Sequence, residues 1–167
     1  MRPVIFSLLL LGWMEGFAQQ YNVPDSIPPF NIMLGNRSYF NASNLKPEEK
    51  LLIVYFDPDC SHCKHFTSDL VKNISKLNHV QVVMICAAGL SAVKAFTDSF
   101  HLNKYPCIKA GTEGIYRTVM YYYHVHVTPF AALYDSRGKL LVYYRNSLKI
   151  QDIIRQFNHS KPIWNLS

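Results

Sequence analysis

Cys60 and Cys63 enclose Ser61 and His62, and two cysteines at this spacing serve either reversible disulfide formation or half of a four-ligand metal site. A structural disulfide is the remaining reading. Disulfide exchange needs a thiolate, so near neutral pH the attacking cysteine must have its pKa lowered from roughly 8.5. His62 is placed to help. A protonated imidazole beside Cys60 stabilises its thiolate, which favours the reduced dithiol and makes the pair a stronger oxidant.

The elements around the dithiol decide between these readings. Leu51-Leu52-Ile53-Val54-Tyr55-Phe56 is continuously apolar and β-favouring, as expected of a strand buried on both faces, and Asp57-Pro58-Asp59 ends it. From Ser61 to Leu77 the residues Phe66, Leu70, Ile74 and Leu77 recur at helical spacing and predict one amphipathic helix. Cys60 therefore falls where a strand ends and a helix begins. There it meets unpaired backbone N–H groups and the positive end of the helix dipole, both of which favour a negative sulfur. Cys63, one turn further in, is expected to be more buried. The division of labour that follows has Cys60 attacking and Cys63 resolving the mixed disulfide.

The rest of the chain supplies the scaffold. Phe30–Met33 and Arg37–Phe40 read as a hairpin across Leu34-Gly35-Asn36, and Val80–Ala87 as a second buried strand. Ser91–Phe100 is expected to be helical, Tyr105–Lys109 a short strand, and Ile115–Tyr123 a helical, aromatic-rich segment. Phe130–Tyr134 and Lys139–Tyr144 form a second hairpin across Asp135-Ser136-Arg137-Gly138, and Leu148–Phe157 a closing helix. The order predicts an α/β sandwich with a mixed sheet flanked by helices and an N-terminal β-hairpin extension.

Residues 1–18 read as a signal peptide: Arg2 gives the charge, Val4 to Leu11 the apolar run, and Gly16-Phe17-Ala18 the cleavage site. The run is too short to span a bilayer. Residues 19–28 then form an extended arm, 29–160 the folded domain and 161–167 a C-terminal tail. The net charge of +6 is carried by scattered lysines and arginines, with no basic run, so nucleic acid is not an expected partner. Cys86 and Cys107 stand singly in apolar surroundings. Cys86 reads as a packed small hydrophobe, and a disulfide between the two is one option for an exported chain.

The segment Ile53-Val54-Tyr55-Phe56-Asp57-Pro58-Asp59-Cys60-Ser61-His62-Cys63-Lys64 resembles the active-site region of the thioredoxin superfamily. A second match, Tyr123-His124-Val125-His126-Val127-Thr128-Pro129 followed by the strand Phe130–Tyr134, is similar to the family's segment around its cis-proline. The resemblance runs from about Pro29 to His159. The N-terminal hairpin and the segment between Ser99 and Tyr123 resemble the exported TlpA/ResA branch, related to the redoxins.

What this resemblance implies is a thioredoxin-like three-layer sandwich and an extracytoplasmic thiol-disulfide oxidoreductase, with Cys60 and Cys63 as catalytic residues. His62 and Asp59 would tune the thiol, and Val127, Thr128 and cis-Pro129 would dock the substrate chain. Without the resemblance, Pro129 at the start of a strand reads as a plain edge or turn proline. No cofactor beyond the redox-active disulfide is expected. Its partners would be thiols and disulfides of exported proteins and a membrane or soluble thiol donor, the protein itself being a monomer secreted across the inner membrane into the periplasm.

Two departures stand out. Asp59 replaces the aromatic residue that commonly precedes the first cysteine, and its charge opposes a lowered Cys60 pKa. Val54 stands where thioredoxins keep a buried acid that helps deprotonate the second cysteine. Two alternatives remain: a copper or zinc carrier using Cys60, Cys63 and His126, since two thiolates and an imidazole suit soft metals, and an interaction module without turnover.

Overall fold

The computed structural model describes residues 23–159. The proposed leader, the start of the arm and the tail lie outside these residues. Seven strands, β1 (Asn31–Leu34), β2 (Tyr39–Asn41), β3 (Lys50–Tyr55), β4 (Val80–Cys86), β5 (Ile108–Thr112), β6 (Phe130–Tyr134) and β7 (Leu140–Arg145), form one sheet in the order β2-β1-β5-β4-β3-β6-β7. β3, β4 and β5 run parallel, and the hairpins β1–β2 and β6–β7 join the two sides antiparallel, so the sheet is mixed. Four helices accompany it: α1 (Ser61–Lys72), α2 (Leu90–Ser99), α3 (Thr118–Tyr122) and α4 (Ile150–His159).

Alternation along the central strands divides the core in two. Leu52, Val54, Met84, Ala131 and Leu133 point to one face, where Phe66 and Leu70 of α1, Val93 and Phe96 of α2, and Ile153 and Phe157 of α4 cover them. Ile53, Tyr55, Ile85, Phe130 and Ala132 point to the other and meet Val119 and Tyr123 of the α3 region, Ile32 of β1 and Val23 of the arm. This is the three-layer mixed sandwich expected from the order of elements. The arm is built into it: the Leu140 N–H donates to the Asp25 carbonyl at 3.0 Å, and the Tyr134 hydroxyl donates to the Ser26 carbonyl at 3.2 Å. Among the described residues no helix is long and apolar enough to cross a membrane.

Three expectations shift, the first being that the segment Ile115–Tyr123 divides into a 3-10 turn (Gly114–Tyr116) and α3, with Arg117 at φ 47° between them. The helix after the dithiol ends at Lys72, and Ile74–Lys76 forms a separate 3-10 turn. Asn73 causes the break: its side-chain amide donates to the Asp69 carbonyl at 2.9 Å, and its backbone leaves the helical region at φ −112° and ψ 10°. The turn still presents Ile74 and Leu77 to the core, so the apolar period continues beyond the helix. The short strand comes three residues later than Tyr105–Lys109 predicts, because Ala110-Gly111-Thr112 reads as a turn yet lies in the sheet. A Cβ on Gly111 would sit 2.8 Å from the Met33 carbonyl oxygen, so this position must lack a side chain for β1 to pair with β5.

Cys86 and Cys107 do not pair. Cys86 lies opposite Thr112, whereas Cys107 precedes Ile108, the partner of Val82. Five residues of parallel register, at about 3.3 Å each, separate the two thiols far beyond the Cα distance of about 7 Å that a disulfide tolerates. Cys86 is instead fully buried, as a small hydrophobe in the helix-covered core.

Candidate active site

The dithiol is delivered by a turn that the sequence encodes with two acids and a proline. Beyond β3, the Asp57 carboxylate accepts the Asp59 N–H at 2.8 Å and the Asp57 carbonyl accepts the Cys60 N–H at 3.1 Å. The turn sets Cys60 at the N-cap of α1 in extended backbone, φ −69° and ψ 121°, and the Lys64 N–H closes the first helical bond onto its carbonyl at 3.1 Å. The cap itself is sulfur. The Cys63 N–H donates to Cys60 Sγ at 3.4 Å, in the place a serine or aspartate oxygen usually takes.

The two thiols differ in setting. Cys60 is partly exposed and its S–H donates to the Thr128 carbonyl at 3.6 Å, while Cys63 is only 1% exposed beneath it. Burial alone pushes the Cys60 thiol up, but hydrogen bonds from the Cys63 thiol and N–H, aided by Thr128 and the His62 N–H, outweigh it and bring the pKa below its ordinary value. Burial pushes Cys63 up to about 12, and the neighbouring Cys60 adds to the rise. The two sulfurs are thus shifted in opposite directions, Cys60 toward easier and Cys63 toward harder ionisation.

The structure brings Cys60, Cys63, Thr128 and Pro129 together and sets His62 and Asp59 at the rim, both exposed. The His62 backbone N–H is one of the groups that lower the Cys60 pKa. The Thr128–Pro129 peptide is cis, and Thr128 lies just outside the ladder that starts at Phe130 of β6. Val127 beside it is 53% exposed. Val54 is fully buried on the same face as Cys63, so no carboxylate occupies that position. His126 is exposed in the wall of a neighbouring groove, and among the described residues no three His, Cys, Asp or Glu side chains gather as metal ligands.

Two grooves lie beside the Cys60–Thr128 contact. One, of about 410 Å³, runs between Asp57, Pro58, Ala88, Arg117, Val125 and Thr128; the other, of about 610 Å³, between His62, His65, Pro129 and the loop Asn146–Lys149.

Two residues of this region carry no legible motif. Glu113, only 5% exposed, accepts the Tyr55 hydroxyl at 2.7 Å and the Val119 and Met120 N–H groups at 2.7 and 3.3 Å. It ties the end of β5 to the end of β3 and to the start of α3, the two elements that lead into Cys60 and Thr128. In the sequence it is one acid in a Thr-Glu-Gly stretch that reads as a loop. Arg117 stands just before α3 with φ 47°, a left-handed conformation uncommon for a residue with a side chain.

The fold and this site define a thioredoxin-fold protein with a helix-capping dithiol. A family model described as a thioredoxin-like domain matches residues 42–158, and the chain belongs to that family. The fold matches a secreted Mycobacterium tuberculosis disulfide oxidoreductase homologous to E. coli DsbE, with a TM-score of 0.65, 16% identity and coverage of 78% of this chain and 95% of that one. It also matches a peroxiredoxin-like protein from Aquifex aeolicus (TM-score 0.69, 15% identity, 83% of this chain and 86% of that one). A protein from Bacteroides thetaiotaomicron proposed to be a protein disulfide isomerase gives a TM-score of 0.66 at 18% identity, over 82% and 88% of the chains. No curated protein matches the sequence.

The asymmetry of the thiols gives the first prediction. A group whose pKa is lowered ionises at lower pH, so limited iodoacetamide should alkylate Cys60 with a midpoint below the free-cysteine value of roughly 8.5. Cys63 and Cys86, each pushed up to about 12, should stay unmodified in the folded protein. Peptide mass mapping across a pH series checks this; equal labelling of Cys60 and Cys63 at neutral pH would contradict the assignment.

Proposed function

We propose that the protein is an extracytoplasmic thiol-disulfide oxidoreductase acting on cysteines of exported proteins. The observation that carries this reading is the sulfur N-cap: Cys60 Sγ accepts the Cys63 N–H at 3.4 Å, lies within 3.6 Å of the Thr128 carbonyl, and has its pKa lowered there. The export leader read at residues 1–18 supports the compartment.

In the reducing direction, the Cys60 thiolate attacks one sulfur of a substrate disulfide; that S–S bond breaks, a mixed disulfide forms, and the other substrate sulfur leaves as a thiolate. Cys63 then loses its proton and attacks Cys60 Sγ, closing the Cys60–Cys63 disulfide and expelling the second substrate thiolate. Two electrons pass to the substrate. With Cys60 bonded to substrate, its negative charge no longer opposes ionisation of Cys63, and the Cys63 pKa falls from its resting value when its nucleophilicity is needed. The oxidising direction is the reverse. Val127, Thr128 and Pro129 hold the substrate backbone beside Cys60, with the Thr128 carbonyl as an acceptor for a substrate N–H.

Trapping tests the reading. A Cys63→Ala variant cannot resolve the intermediate, so it should accumulate mixed disulfides through Cys60 that reductant releases. If that variant, expressed in the native compartment, carries no disulfide-linked partner while Cys60 remains reactive to alkylating reagents, the proposal fails.

A further inference from the structure

The groove beside the dithiol contains a charge that the exchange chemistry does not use. Arg117 is exposed in its wall, opposite Thr128, and makes no ion pair among the described residues. Its sequence neighbour Glu113 forms no ion pair with it, that carboxylate being buried and accepting the Tyr55 hydroxyl and two backbone N–H groups. The groove's other fixed charge, Asp57, sits at the dithiol end and turns one oxygen back onto the Asp59 N–H at 2.8 Å. Met120 and Val125 lie between, giving the groove an apolar floor. Ile115 and Tyr116, at 87% and 79% exposure, lead the chain out to Arg117 so that it stands at the rim.

We propose that Arg117 is a specificity-determining residue that selects disulfide substrates carrying an aspartate or glutamate near the reacting cysteine. This deepens the oxidoreductase reading and rests on it. A substrate chain docked along Thr128 passes its flanking side chains over this groove. An aliphatic one packs on Met120 and Val125, and an acidic one meets the guanidinium, which can receive a carboxylate through two parallel N–H donors. A basic flank meets a like charge. A charge at an exposed rim acts mainly on the encounter rate and weakens with salt.

The test uses the full reduced chain and three sets of peptide disulfides that differ only in Asp, Asn or Lys, placed two residues before or two residues after the cysteine. In one of the two placements, at low ionic strength, the Asp peptide should react about 3-fold faster than Asn, within the range that exposed ion pairs supply, and about 10-fold faster than Lys, where lost attraction and added repulsion combine. The ratio should shrink toward one in 0.5 M salt, on the order of a Debye length below 5 Å. Arg117→Glu should invert the Asp-to-Lys order and Arg117→Lys should keep it, with unchanged thermal melting showing that both variants fold. An order unchanged in Arg117→Glu, or no order in the parent chain, overturns the proposal. If no peptide reacts at all while the dithiol is reduced, the oxidoreductase reading fails and the specificity proposal with it.

Discussion

Cys60→Ser should abolish disulfide exchange, with a loss of about 10³-fold or more, the order seen when an enzyme's nucleophile is removed, while the fold is retained. The retention follows from the local geometry. Cys60 Sγ caps α1 by accepting the Cys63 N–H at 3.4 Å, and serine is among the preferred residues for that position. The serine oxygen can take over the cap, but it has no thiolate to attack a sulfur. Turnover of a peptide disulfide, measured beside circular dichroism and thermal melting, separates the two effects. A variant that keeps more than a tenth of the activity would show that another thiol does the chemistry. The only other thiols are Cys63, Cys86 and Cys107, of which the first two are fully buried.

Glu113→Ala should be the most destabilising single change near the site, by about 3 kcal/mol. It removes the shared acceptor of the Tyr55 hydroxyl and the Val119 and Met120 N–H groups. Each buried donor left without a partner costs roughly 1–3 kcal/mol, and water entering the vacated space offsets part of the sum. For a domain of this size the melting temperature should fall by about 10 °C. Tyr55→Phe removes one donor and leaves the two N–H bonds intact, so about 1 kcal/mol is expected from it. The pair of variants, compared by urea and thermal denaturation, checks the ranking. A Glu113→Ala melting temperature within a degree or two of the parent would mean that the carboxylate is not holding α3.

The parts of this molecule that the sequence announces are those where local chemistry and burial agree. β3 is apolar throughout because both faces are covered, and the turn at Asp57-Pro58-Asp59 stops it where the helix must begin. Both hairpins are present, with strand ends within two residues of those expected, and the second turns at Gly138 (φ 77°) with Asp135 Oδ1 accepting the Arg137 and Lys139 N–H groups at 2.9 Å. The misplaced boundaries are those where a tertiary neighbour decides. Gly111 is in a strand because β1 approaches it, and nothing within Ala110-Gly111-Thr112 signals that approach. α1 ends at Asn73 although the apolar period runs on, because a 3-10 turn keeps Ile74 and Leu77 on the same core.

The site divides in the same way. The dithiol and the segment ending at Pro129 are contiguous motifs and stand out. Glu113 and Arg117 are single residues whose roles depend on where α3 packs, so no spacing reveals them. Between Cys86 and Cys107, pairing was an option until strand register placed the two at different heights. The hydrogen bonds from Cys63 to the Cys60 sulfur follow from the helix start, which the strand-to-helix junction in the sequence does announce.

The sulfur cap has one more implication, which is best put as a closed thermodynamic cycle. The Cys63 N–H bond that caps the first turn of α1 is also one of those that lower the Cys60 pKa, and it depends on the electron density on that sulfur. Helix integrity and electron affinity are therefore conjugate quantities in this protein. Any substitution that loosens the opening turn must shift the dithiol's reduction potential by the difference it makes to the stability of the reduced and oxidised folds, at about 30 mV for each 1.4 kcal/mol. Residues of α1 that never approach a substrate thus share control of which partners the protein can reduce and which it can oxidise.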